Sequence, residues 1–142
     1  MGHMNVIQDV RGWTEEFSVN VKLFDAQHRR LVRLICSLET AMSEGKARNQ
    51  LTQLFSDLAD YTWEHFATEE AVMNAYGFSW RDTHALEHGQ FLARLDQLRE
   101  QWESGEVALS VQVLDELLRW WSGHVLGTDR MYTEHLNTRG LF

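Results

Sequence analysis

The chain has 142 residues, long enough for one domain with its own apolar core. Hydrophobic residues make up 44% of it, with six tryptophans and no proline, which excludes a disordered chain and leaves long helices unbroken. A net charge of -8 excludes the basic stripe a nucleic-acid partner requires, and no apolar run reaches the ~18–20 residues of a membrane span.

Met1-Gly2-His3-Met4 reads as an expression scar, so His3 is set aside and one domain is expected over 5–142. The scar leaves it open whether the natural chain is longer. No secretory leader is recognisable, and the single cysteine, Cys36, fits a reducing, cytoplasmic setting. Cys36 lies among Leu34, Ile35 and Leu38 and reads as a packed helical thiol.

Residues 5–24 read as an N-terminal arm anchored by Trp13, Val19, Val21 and Phe24. A first helix is predicted over 26–43, with Asp25 as its N-cap. Its apolar stripe is Phe24, His28, Leu31, Ile35, Leu38 and Met42. Ser43-Glu44-Gly45 ends it, and a second helix follows over 47–76, with Phe55, Leu58, His65, Phe66, Glu69 and Met73 on one face. After Tyr76-Gly77-Phe78-Ser79 a third is predicted over 80–103, capped by Ser79, with His84, His88, Phe91, Leu95, Leu98 and Trp102 as its stripe. Glu103-Ser104-Gly105 then leads to a fourth over 107–134, carrying Leu114, Leu117, Leu118, Trp121, His124 and Val125. Loops this short force neighbours antiparallel, so the expected fold is an all-α, up-down-up-down four-helix bundle with an N-terminal arm.

The stripes carry polar residues where leucines belong. His28, His65, His84, His88, His124 and Glu69 all fall on core faces. Each costs roughly 1–3 kcal/mol when buried without a partner. One such histidine is ordinarily a satisfied core residue. Five on four helices are not explained that way. His65 and Glu69 are four apart, as are His84 and His88, so each pair shares a helix face. In an antiparallel bundle His28, His65/Glu69, His84/His88 and His124/Asp129 also lie at one end, a coincidence of height that scattered core histidines would not produce. Imidazole and carboxylate without thiolate suit iron, zinc, manganese or nickel. Five histidines, two carboxylates each spanning two ions and one bridging oxygen fill eleven of the twelve positions of two octahedral metals. The count leaves one vacancy, and zinc, which favours about four ligands, fits it poorly.

The ordered set Trp13, Val19, Asp25-Ala26-Gln27-His28, His65-Phe66-Ala67-Thr68-Glu69-Glu70, Met73, Gly77-Phe78, His84-x-x-x-His88-x-x-Phe91 and His124-x-x-x-x-Asp129-x-x-Tyr132 resembles the bacterial hemerythrin domains across nearly the whole chain. That resemblance implies two non-haem iron ions, cycling between Fe2+ and Fe3+, with a bridging oxo or hydroxo. His84, His88 and His124 would hold one iron. His28 and His65 would hold the other, which keeps the open position, and Glu69 and Asp129 would bridge. It implies reversible dioxygen binding as a carrier, store or sensor and not enzymatic turnover. A sensor would bring a signalling output domain in a longer chain; no membrane or nucleic-acid partner is implied. A di-iron oxidase or peroxidase is the alternative, but the Glu-x-x-His spacing of ferritin-like enzymes is absent.

Glu70, ~100° round from Glu69, reads as an outer group or solvated, Gln27 and Asp25 as caps or outer groups, and His135 as exposed near the C-terminus. His124 and Asp129 are five apart, ~140° on a regular helix, so either a π-bulge lies between them or Asp129 reaches in from the helix end, and some local distortion near Gly127 is expected. Trp121 stands where the family more often has leucine facing the oxygen pocket; it reads equally as core or as a narrowing of that pocket. Phe78 replaces the usual tyrosine. The expected apolar walls are Phe24, Leu31, Phe66, Met73, Phe91, Trp121 and Val125.

Overall fold

The computed structural model describes residues 13–105 and 110–142. The terminal tetrapeptide, the first part of the arm and the residues around the expected start at 107 lie outside them. Four long helices follow in order: α1 (Lys22–Ser43), α2 (Arg48–Ala75), α3 (Arg81–Glu103) and α4 (Val111–Gly123). No strand occurs among the described residues. α1 packs along α2, α2 along α3, and α1 against α4, giving the all-α four-helix bundle anticipated from the periodicity. The chain reverses at Gly45 and Gly77, whose φ values of 69° and 65° are open to glycine without a Cβ penalty. The next N–H in each case, Lys46 or Phe78, bonds back to Ala41 or Met73, closing the preceding helix.

Two expected caps are corrected. α1 starts at Lys22, earlier than 26, and Asp25 sits a turn inside it. From there its carboxylate reaches back to the incoming chain, accepting from the Val19 N–H (2.8 Å) and the Ser18 hydroxyl (2.6 Å). Asp25 therefore fixes the entry of the arm and leaves the first N–H groups uncapped. At α3 the N-cap position is Trp80 and no side chain caps it. Ser110 does cap α4, its Oγ accepting from the Val113 N–H at 3.2 Å.

The core is the set of stripes, with Leu38, Phe55, Leu98 and Leu114 enclosed between the helices. At the end away from the histidines, Trp102 donates its indole N–H to Thr52 Oγ1 (2.8 Å) and Arg48 lies over its ring at 4.0 Å. At the histidine end the chain beyond α4 folds over the bundle and is tied to the arm. Thr133 Oγ1 donates to the Val19 carbonyl (2.7 Å) and Asn137 Nδ2 to the Asn20 carbonyl (3.0 Å). Trp13 and Phe17 of the arm pack on Trp121.

Candidate metal centre

The five histidines, Glu69 and Asp129 are all buried, none more than 5% exposed. Each helix delivers its share by the face its periodicity dictates. The fourth strand of ligands needs a change of winding. After Gly123 the chain becomes π-helical over His124–Thr128, with the Asp129 N–H bonded to the His124 carbonyl five residues back. That i→i+5 register stacks residues five apart and turns Asp129 onto the face His124 occupies. A 3-10 turn over Asp129–Tyr132 and a short helix α5 (Thr133–Asn137) follow.

Around the carboxylates the nitrogens fall into two groups. Asp129 Oδ1 lies 2.9 Å from both His84 Nε2 and His124 Nε2. Glu69 Oε1 lies 3.2 Å from His88 Nε2 and 3.4 Å from His84 Nε2, and the Nε2 atoms of His88 and His124 are 3.1 Å apart. On the other side, Glu69 Oε2 lies 3.3 Å from His28 Nε2 and 3.4 Å from His65 Nε2, and Asp129 Oδ2 lies 3.2 Å from His28 Nε2. Each carboxylate thus offers one oxygen to a three-histidine group and the other to a two-histidine group. An octahedral ion with nitrogen and oxygen ligands at about 2.0–2.2 Å spaces adjacent ligand atoms ~3 Å apart, which is the spacing found here. Glu69, His84, His88, His124 and Asp129 form one set able to hold a metal ion, and His28, His65 and Glu69 a second.

The protein alone leaves this cluster unsatisfied. Both ring nitrogens of His28 and of His84, Glu69 Oε1 and both Asp129 oxygens are buried without a hydrogen-bond partner. Native interiors rarely tolerate such a concentration of orphaned donors and acceptors. Cations at the centre would satisfy the Nε2 atoms and the carboxylate oxygens together. Charge agrees. Burial by itself would lift the Asp129 carboxyl, as would the Glu69 charge, yet His124 and His28 hold it well below the ordinary carboxylate range. Burial likewise opposes ionisation of Glu69, and His65, His28 and His84 outweigh it. Burial disfavours protonated His28 and His84, but Asp129 and Glu69 lift each to about 9. His65 is lowered, chiefly by burial. Two buried anions draw positive charge to the centre, from protons or from metal.

Behind the nitrogens stand polar groups that fix ring orientation. His65 Nδ1 donates to Gln27 Oε1 (2.6 Å) and His88 Nδ1 to Glu70 Oε2 (2.9 Å), so both residues take the outer role open to them from the sequence. Three contributors were not foreseen. Glu87 Oε1 accepts from His124 Nδ1 (3.2 Å), and Thr128 Oγ1 donates to the same carboxylate (2.9 and 3.0 Å). Tyr132, recognised in the sequence only as a motif residue, donates its hydroxyl to Glu69 Oε2 (2.8 Å) and stacks on His84. A sequence signal existed for two of them, since Glu87 adjoins His88 and Thr128 adjoins Asp129. His135 is not exposed as expected. It is half-buried, bonded through Nε2 to the Tyr76 carbonyl (2.7 Å) and set edge-on to Phe78, away from the cluster.

An apolar cavity of about 10 Å³, one water-sized sphere, lies between the helices, and of its lining Phe66 stacks on His88 while Trp121 meets His28. Leu31, Phe66, Phe91 and Trp121 line it as expected, whereas Phe24, Met73 and Val125 are buried elsewhere. Thr62, unforeseen, also lines it, but its hydroxyl donates to the Leu58 carbonyl (2.8 Å). Trp121 is both core and pocket wall: 3% exposed, it meets His28 edge-on with ring centroids 5.9 Å apart.

Fold and cluster together define a four-helix bundle whose buried histidines and carboxylates could hold metal ions. The chain belongs to the hemerythrin family, since the family model described as "Hemerythrin HHE cation binding domain" matches residues 19–136. It is 32% identical over 137 residues to a bacteriohemerythrin of Ralstonia nicotianae, covering 96% of this chain and 93% of that protein. With a bacteriohemerythrin of Stenotrophomonas maltophilia it shares 29% identity over 129 residues, 88% of this chain and 83% of the relative. A crystal structure of wild-type hemerythrin superimposes with a TM-score of 0.84 at 25% identity, covering 88% of this chain and 96% of that one. No helix among the described residues is long and apolar enough to cross a membrane.

Proposed function

We propose that this protein binds dioxygen reversibly at two non-haem irons held by His28, His65, Glu69, His84, His88, His124 and Asp129. The observation that carries the reading is the division of each buried carboxylate between two groups of imidazole nitrogens. Two ferrous ions with a bridging oxo or hydroxo, when bound, would supply the two electrons that reversible dioxygen binding draws on. His84, His88 and His124 would saturate one position, and His28 and His65 would leave the other short of a ligand.

The chain's own residues favour binding over turnover. Leu31, Phe66, Phe91 and Trp121 give the cavity beside the cluster an apolar wall, which disfavours water there. Glu69 and Asp129 are the only buried acids among the described residues, and both are committed to the imidazoles. The Tyr132 hydroxyl is likewise committed, donating to Glu69 Oε2 at 2.8 Å. This supports a carrier, store or sensor over an oxidase or peroxidase, and a domain spanning 5–142 acting in a reducing cytoplasm belongs to the same reading. Mixing the diferrous protein with oxygen in a stopped-flow instrument tests it. The expected result is a stable new spectrum that reverses under vacuum; rapid, irreversible oxidation with peroxide release would overturn it.

A further inference from the structure

The outer partners of the imidazoles are distributed unevenly. In the three-histidine group, His88 donates Nδ1–H to Glu70 (2.9 Å) and His124 donates to Glu87 (3.2 Å). Both acceptors are carboxylates. Glu87 is held in place by Thr128, whose hydroxyl reaches both its oxygens (2.9 and 3.0 Å) from inside the π-helical segment. In the two-histidine group the only outer acceptor is Gln27, a neutral amide, on His65 (2.6 Å). His28 and His84 have no Nδ1 partner among the described residues. One position is thus backed by two negative charges and the other by none.

An imidazole that donates to a carboxylate is a stronger donor through its other nitrogen, because the negative charge stabilises positive charge built up on the ring. Resting on the di-iron reading, we infer that Glu70 and Glu87 are positioning residues that make the His84/His88/His124 position the one that retains a trivalent ion when the two irons differ in charge. The first electron added to the diferric protein then goes to the His28/His65 position. Glu70 and Glu87 are 35% and 36% exposed, so water screens part of their effect. The asymmetry is therefore a bias between the two positions and leaves the ligand set itself unchanged.

The test is a redox titration of the iron-loaded protein. In each of two steps, one electron passes from a reduced one-electron mediator to one ferric ion, giving one ferrous ion and the oxidised mediator. The readout is the gap between the two midpoint potentials. Glu87→Gln keeps a hydrogen-bond acceptor and removes the charge; it is expected to raise the second potential and narrow the gap. Gln27→Glu places a charge behind the other position; it is expected to lower the first potential and narrow the gap as well. Outer-shell changes act on the scale of roughly tenfold, here in the equilibrium between mixed-valent and fully oxidised plus fully reduced protein, about 59 mV for one electron. A merely structural role for either residue would not make two changes on opposite sides converge. A gap unchanged or widened in both fully loaded variants overturns the inference alone, whereas fewer than two irons per wild-type chain overturns the di-iron reading and the inference with it.

Discussion

Tyr132 shows how much one hydroxyl can carry at this centre. Its O–H reaches Glu69 Oε2 at 2.8 Å, the oxygen that faces His28 and His65, while its ring stacks on His84. Tyr132→Phe keeps the ring and removes the bond, leaving Glu69 free to turn. The expected outcome is unchanged helicity with iron lost to a chelator about tenfold faster, the scale of outer-shell effects; identical release rates would show that Glu69 is held by other means. The ligands themselves permit a harsher test. His28→Ala and Glu69→Ala should each abolish the oxygen-induced spectrum while far-ultraviolet circular dichroism keeps its helical shape. An intact spectrum in both would remove them from the site.

At the scale of elements, the segment after α4 departs furthest from regularity. His124 and Asp129 could share a face only if the winding changed, and the chain widens to a π-turn over His124–Thr128. One alanine inserted after Leu126 would turn Asp129 by a further ~100° relative to His124. Loss of iron binding with retained helix content is the expected outcome, measured by metal analysis and circular dichroism. Full iron occupancy in that variant would mean that the π-turn is not what delivers Asp129.

The same scale explains what could be read in advance. Six of the seven proposed ligands were legible because each breaks an apolar stripe, and a stripe is a property of one helix; Asp129 lies off its stripe and was legible only through the family motif. The outer partners follow a rule between helices. Gln27, beside His28, serves His65; Glu70, beside Glu69, serves His88; Glu87, beside His88, serves His124. A residue next to a ligand points ~100° away from it, toward the neighbouring helix. Glu87 was not singled out because its partner lies 37 positions on. Asp25 was misread as a cap because the arm's contribution to α1 left no periodic trace, and Ser79 because a capping residue type one position early is indistinguishable in sequence from a real cap.

For the whole molecule, the proposed centre is expected to set stability as well. Five imidazoles and two carboxylates fill one end of the bundle, with several of their polar atoms unpartnered by protein. Ions that bind only the folded chain stabilise it, by about 2.7 kcal/mol at a hundredfold excess over the dissociation constant. Stripping iron with a chelator should therefore lower the Tm by about 10 °C or more, given the few degrees per kcal/mol typical of this size, and iron added back should restore it. An unchanged Tm would mean that the bundle tolerates the bare cluster. The most direct measurement of all is anomalous diffraction at the iron edge from crystals of the iron-loaded protein. The account predicts two peaks about 3.5–4 Å apart or slightly closer, as in two-metal sites, bracketed by Glu69 and Asp129; a single peak, or peaks away from those carboxylates, would contradict it.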